Sequence, residues 1–230
     1  MAQYVRLAIF DLDGTITRHD TLAPYALGFL VRKRAWRLPA LLLVAPTLLG
    51  YVAGLVDRGG LKSAFIRAAL GGCRRKDLQR WTETFVVGLL AHGVFPQALE
   101  AIRAHARAGD HLVLLSASTD LYVPAIAQAL GFQEVICTGV RWDDERLDGR
   151  LTTPNRRGEE KARCVTALRA RHSGMETAAY GNAASDLEHL RLVEQGVLVN
   201  GSTAARRAAA KDGITTVTWT CGSARAPGRT

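Results

Sequence analysis

Apolar and polar positions follow two regimes along the chain. Residues 5–10 form a short apolar run ended by an acidic turn, the pattern of a strand buried on both faces of a parallel sheet. Residues 22–90 then keep a helical period with almost no strand signal. From residue 96 onward strand and helix alternate. The pattern predicts helix over 96–107, strand over 111–115, helix over 120–130 and strand over 134–137. Residues 140–151 read as a hairpin turning near Asp148-Gly149. Helix 158–171, strand 177–180, helix 186–194, strand 197–199, helix 203–211 and strand 214–219 follow, and residues 221–230 read as a disordered tail. Such alternation implies the α/β class with a doubly wound parallel sheet. The helical block is then an insertion. Residues 1–16 and 92–220 make the core, and residues 17–91 make a helical cap.

Within the cap, residues 38–56 are nineteen positions without a charge, preceded by Arg32, Lys33, Arg34 and Arg37. On length alone they could span a bilayer. One crossing would strand Asp11 on the opposite side from the polar motifs that follow. Pro39 and Pro46 also interrupt the run. The preferred expectation is two short helices broken near Pro46 and buried against the rest of the cap. The alternative is peripheral contact with a lipid surface.

Composition narrows the setting. The net charge is +9, and only five of the thirty basic residues are lysines. The excess suits anionic partners, but it is spread out, with no nucleic-acid-binding signature. Cys73, Cys137, Cys164 and Cys221 form no CxxC pair. They read as reduced thiols, and with no visible signal peptide the expected location is cytoplasmic.

Candidate chemistry begins at Phe10-Asp11-Leu12-Asp13-Gly14-Thr15, directly after the first strand. Two carboxylates two residues apart reach the strand's carboxyl end, where open α/β sheets bind ligands. Asp and Gly are also common turn formers. Three features downstream raise the first reading above the second. Ser116, at the end of strand 111–115, offers a hydroxyl and nearby amides for a phosphate oxygen. Lys161 offers a cation near a helix start. Gly181-Asn182-Ala183-Ala184-Ser185-Asp186 places an amide and a carboxylate where a hard cation could sit.

With these four motifs in order, the chain resembles the haloacid dehalogenase (HAD) superfamily, within it the phosphoserine-phosphatase-like subfamily. Leu115-Ser116-Ala117-Ser118 and residues 154–161 carry the same resemblance. The resemblance implies a Rossmann-like HAD core with a C1-type helical cap. It implies a Mg²⁺-dependent phosphatase acting on a phosphate monoester. Asp11 would be the nucleophile that becomes an aspartyl phosphate, and Asp13 the general acid and base. Ser116 and Lys161 would grip the phosphoryl group. Asp11, the Asp13 carbonyl, Asn182 and Asp186 would hold the metal. Asp20 stands where phosphoserine phosphatases carry a substrate-contacting acid, and it could equally cap the first cap helix.

One position departs from the family, which usually has aspartate at Asn182. Asp11, Asp13 and Asp186 then sum to −3 against +3 from Mg²⁺ and Lys161, so weaker metal binding is expected, with more of the load on Asp186. Residues 38–56 resemble the apolar cap segment of bacterial phosphatidylglycerophosphatases, which brings a lipid phosphate into view as substrate. A small soluble phosphate, such as phosphoserine or a sugar phosphate, remains open. So do a phosphotransferase and a non-catalytic phosphate-binding relative.

Overall fold

The computed structural model describes residues 4–220. Its centre is a six-stranded parallel sheet built from β1 (Arg6–Phe10), β2 (His111–Thr119), β3 (Glu134–Thr138), β6 (Glu176–Gly181), β7 (Gln195–Val199) and β8 (Thr215–Val217), in the order β3-β2-β1-β6-β7-β8. The chain winds outward from β1 in one direction and then from β6 in the other. The crevice between the carboxyl ends of β1 and β6 is therefore the topological switch point. The apolar run of β1 is explained by its position. Leu7 and Ile9 pack on one face with Val165 and Leu168 of α7 (Glu159–Arg171), while Ala8 and Phe10 pack on the other with Ile102 of α5 (Pro96–Ala108) and Ile126 of α6 (Val123–Leu130).

Between β1 and β2 lie α1 (Leu22–Lys33), a 3₁₀ segment Ala35–Val44, α2 (Ala45–Val52), α3 (Arg58–Leu70) and α4 (Arg75–His92). Tyr25, Phe29, Leu30, Ile66, Leu70 and Trp81 form a buried cluster continuous with the core. The hairpin β4 (Val140–Asp143) and β5 (Arg146–Leu151) stands apart from the main sheet and docks on this helical block. The Gly72 and Arg75 amides donate to the carbonyls of Leu147 and Glu145, and the Leu147 amide donates to Cys73. The remaining helices are α8 (Leu187–Leu190) and α9 (Thr203–Lys211).

Several expected details differ. The hairpin turns at Asp144, whose φ of 49° puts it in the left-handed region that Asp tolerates. Gly149 lies inside β5 instead. A Cβ there would meet Arg67 of α3 at 2.8 Å, so this glycine permits the close approach of hairpin and cap. The helix expected over 186–194 is a 3₁₀ turn, Ala184–Asp186, followed by the short α8, because the chain reverses tightly enough to bring Gly196 against the Leu190 carbonyl. Strand β2 runs to Thr119, so Ser116 is inside it and not at its end.

The largest difference is in the cap. No residue of Ala35–Val52 is buried. Pro46 sits in the first turn of α2, where a missing N–H costs nothing, and the change from 3₁₀ to α falls just before it, between Val44 and Ala45, as expected. Trp36, Leu42, Leu43, Leu49, Val52 and Leu55 are each at least 70 % exposed. The expected burial of this run against the cap is not found. The predicted tail, 221–230, lies outside the described residues.

Candidate active site

Three of the anticipated motifs meet at the switch point. Asp11 follows β1 directly, and its amide donates to the Tyr180 carbonyl of β6. Thr15 Oγ1 donates to Asp11 Oδ2 at 3.0 Å. Gly14 turns the chain with φ of 79°, and a Cβ there would fall 2.0 Å from the Asn182 amide nitrogen, so the loops after β1 and β6 touch at this point. Lys161, in the first turn of α7, reaches across to donate to Asp11 Oδ1 at 2.7 Å and Asp186 Oδ1 at 3.0 Å. All three side chains are buried.

Electrostatics follows from that burial. Burial pushes the Asp11 carboxyl up to about 6, with Lys161 opposing and Asp186 reinforcing. Burial also acts to raise Asp186, but Lys161 and the Ala183 amide outweigh it and hold this carboxyl well below the usual range. Burial alone would lower Lys161. The two carboxylates override it and keep the ammonium charged.

Asp13 is fixed by three donors. Thr21 donates its amide (2.8 Å) and its hydroxyl (2.7 Å) to Oδ1, and Ser118 Oγ donates to Oδ2 at 2.5 Å. Thr21 Oγ1 also lies 2.9 Å from Tyr122 Oη. Burial raises the Asp13 carboxyl and nearby Asp20 adds to it, while the Ser118 and Thr21 bonds act in the other direction.

Asp11, Asp13, Lys161, Asn182 and Asp186 line one cavity of about 200 Å³. Asp20 lines it too, and its Oδ1 accepts the amide of Leu22, the first residue of α1, at 3.0 Å. Ser116 does not line the cavity. It is fully buried, its Oγ accepts the Ser118 amide, and the wall is formed by Ala117 and Ser118. The cap contributes Arg58 and Lys62, and the loop before α7 contributes Arg157. Lys62 donates to the Ala117 carbonyl and to Asn155 Oδ1, each at 2.6 Å, joining α3 to the core.

Sequence reasoning missed Thr21, Tyr122, Lys62 and the buried His189. His189 packs beside Asp186, and burial with Lys161 drives its ring down to about 3, so it is neutral. Ser118 was visible only as part of a resembling stretch. Ser118, Tyr122 and Lys62 act through partners distant in sequence.

The fold and these motifs define a doubly wound α/β enzyme core with a helical cap inserted after its first strand. The chain belongs to the haloacid dehalogenase-like hydrolase family, whose model matches residues 8–191. Protein CicA of Caulobacter vibrioides (strain NA1000 / CB15N) is 32% identical over 197 residues, covering 82% of this chain and 83% of that one. Histidinol-phosphatase of Neisseria meningitidis serogroup C (strain 8013) is 24% identical over 223 residues, covering 90% and 96%. Among solved structures, a protein of unknown function from Bordetella pertussis Tohama I superposes with a TM-score of 0.78 at 25% identity, covering 94% of this chain and 99% of that one. A substrate-bound phosphoserine phosphatase shares the fold, with a TM-score of 0.65 at 14% identity, covering 94% and 93%.

Proposed function

We propose that the protein is a Mg²⁺-dependent phosphatase that hydrolyses a phosphate monoester through an aspartyl phosphate on Asp11, and that its substrate is a lipid phosphate met at a membrane surface. The observation that carries the chemistry is the buried Asp11–Lys161–Asp186 bridge beside a separately held Asp13. Lys161 fixes one Asp11 oxygen and Thr15 the other, which aims the carboxylate into the cavity. Attack on phosphorus forms the Asp11–phosphate bond as the ester oxygen leaves. Asp13, whose carboxyl is raised by burial, gives that oxygen a proton. It then takes a proton from the water that attacks the phospho-aspartate, and inorganic phosphate departs with Asp11 restored. Lys161 offsets charge on the transferred group. Ala117 and Ser118 form the wall beside it, the place expected of Ser116.

The residues present fit a magnesium ion. Lys161 pairs with two of the cavity carboxylates, Asp11 and Asp186, while Asp13 has no ion-pair partner among the described residues, which leaves room for a second cation beside them. The available donors are oxygens, as a hard cation requires: Asp11, the Asp13 carbonyl, Asn182 and Asp186. Asp186 Oδ2 already accepts the amides of Asn182 and Ala183, so Oδ1 is its oxygen with spare capacity. When bound, the ion supplies charge screening and polarisation of the phosphoryl group.

The lipid assignment rests on the uncovered run Ala35–Val52, of mean hydropathy 1.4. A single crossing is incompatible with the fold, because α1 before it and α3 after it both join the buried cluster continuous with the core. Lying in the interface covers the apolar side chains and keeps the fold intact. Charge agrees. Beside Trp36 a cavity of about 590 Å³ is lined by Lys33, Arg34, Arg74, Arg80 and Arg146. Basic residues near an anionic surface contribute about 1 kcal/mol each.

A second reading is a small zwitterionic phosphate. It draws on the modest catalytic cavity, whose lining includes both an acid, Asp20, and the bases Arg58 and Lys62. The test is phosphate release from soluble and liposome-borne phosphate monoesters, with and without Mg²⁺, in wild type and Asp11→Asn. We expect Mg²⁺-dependent turnover, fastest on a lipid phosphate and absent in Asp11→Asn. Full activity in Asp11→Asn overturns the mechanism, and preference for a soluble ester overturns the lipid assignment.

A further inference from the structure

At the amino-terminal edge of the sheet, opposite the Asp11 crevice, three side chains from three elements converge. His111 opens β2, Glu134 opens β3 and His172 follows the last residue of α7. Their nearest ligand atoms all lie within 4.8 Å of one another. Glu134 Oε2 is 3.5 Å from His111 Nε2 and 3.5 Å from His172 Nε2. These distances are long for a hydrogen bond, which prefers about 2.7–3.2 Å. They match the ligand-to-ligand edge of a tetrahedral zinc site, about 3.4 Å for bonds near 2.0–2.1 Å.

A second observation points the same way. His111 is only 9 % exposed, and neither of its ring nitrogens has a hydrogen-bond partner. A buried polar atom left without a partner is costly, and the imidazole here faces a carboxylate it does not properly bond. Arg171 pairs with the other Glu134 oxygen, Oε1. It fixes the carboxylate and leaves Oε2 directed at the two rings, the supporting role that outer residues have around bound metals. The Tyr4 ring packs edge-on against His111 at 4.6 Å and restrains that side chain.

We propose that His111, Glu134 and His172 form a structural transition-metal site, most suited to Zn²⁺, distinct from the catalytic Mg²⁺ position. Two imidazoles and one carboxylate match borderline divalent ions and discriminate against Mg²⁺, which prefers an all-oxygen shell. The ion would tie the starts of β2 and β3 to the end of α7. That helix carries Lys161 in its first turn, eleven residues and roughly 16 Å away along its axis. The site would thus anchor the far end of the helix that delivers the catalytic lysine.

The test is Zn²⁺ titration of the full-length protein by calorimetry in excess Mg²⁺, which occupies the catalytic position. Co²⁺ substitution reports geometry by its visible spectrum. We expect one equivalent bound in wild type and in Asp11→Asn, a Co²⁺ spectrum of four-coordinate type, and a Tm that rises with Zn²⁺. His172→Gln, a half-buried position at a helix end, and His111→Gln should each weaken binding by about tenfold or more and remove the Tm rise. Circular dichroism checks that both variants fold. If wild type binds Zn²⁺ no more tightly than these variants in excess Mg²⁺, the proposal is overturned and the cluster is an ion-pair network with Arg171.

Discussion

The crevice between β1 and β6 and the segment Ala35–Val52 treat their side chains in opposite ways. In the crevice, charged groups are taken out of water and nearly every one is matched. Lys161 bridges two carboxylates, and Asp13 has three donors. In the cap segment, apolar side chains stay in water and none is buried. Soluble proteins keep most large apolar groups inside, and a contiguous exposed patch marks a site of interaction. The contrast separates two properties. On the proposed reading the crevice sets the reaction, and the cap segment sets the surface at which the substrate is met.

The sharpest way to break the comparison is to make the cap segment polar. A triple variant, Leu42→Asp, Leu43→Asp and Leu49→Asp, removes three side chains whose burial in lipid is worth about 1.5–3 kcal/mol each. Liposome binding should fall by more than about 100-fold, measured by co-sedimentation. Hydrolysis of a soluble aryl phosphate should be unchanged, because none of the three lines the catalytic cavity. Loss of both activities together would mean the segment supports the fold.

A smaller effect is expected in the crevice. Asn182→Asp adds a charge beside Asp11, so half-maximal activation should move to lower Mg²⁺, on the order of tenfold, or about 1.4 kcal/mol. Without metal the same change should lower Tm, since it places a half-buried negative charge beside the carboxylates of Asp11 and Asp186. An unchanged Mg²⁺ titration would remove this loop from the metal site.

The smallest effect concerns Lys62, which joins the two regions. Burial, with a lesser contribution from Arg157, brings its ammonium down to about 8 from an ordinary value of 10.5, while Asp13 and Asp20 oppose the shift. As pH rises through about 8 the charge facing the cavity is lost, so kcat/KM should decline. Lys62→Met should be weaker throughout and lack that decline. Stability should move the other way. The unfolded chain binds the proton more tightly, so between about 8 and 10.5 wild type gains stability with pH relative to the variant. Matching alkaline profiles for the two proteins would assign the decline to another group.

Much of this was legible in the chain. The apolar run before Asp11 has to be a doubly covered strand, and the short motifs after β1 and β6 and the lysine opening α7 meet because parallel strands bring their carboxyl ends to one edge. What escaped notice depended on distance. Ser118 reaches Asp13 across 105 positions, and Tyr122 reaches Thr21 across 101. Their hydroxyls look like ordinary turn residues in sequence. Ser116 was misplaced because a register shift between Leu115 and Thr119 lets β2 continue past it. The burial of residues 38–56 was misjudged because hydropathy measures the wish to leave water and says nothing of what does the covering.

The bonds between residues 72–75 and the β4–β5 hairpin bear on how such proteins can be recombined. The cap is inserted at one point in the chain, yet it is stitched at a second, where its α3–α4 corner bonds along the open edge of the hairpin through backbone groups of residues 72–75. Excising residues 22–90 would bare the backbone of that edge, an invitation to pair with another chain. Anyone exchanging caps between relatives to change specificity would need to carry the hairpin along, because the transplantable module is discontinuous in sequence.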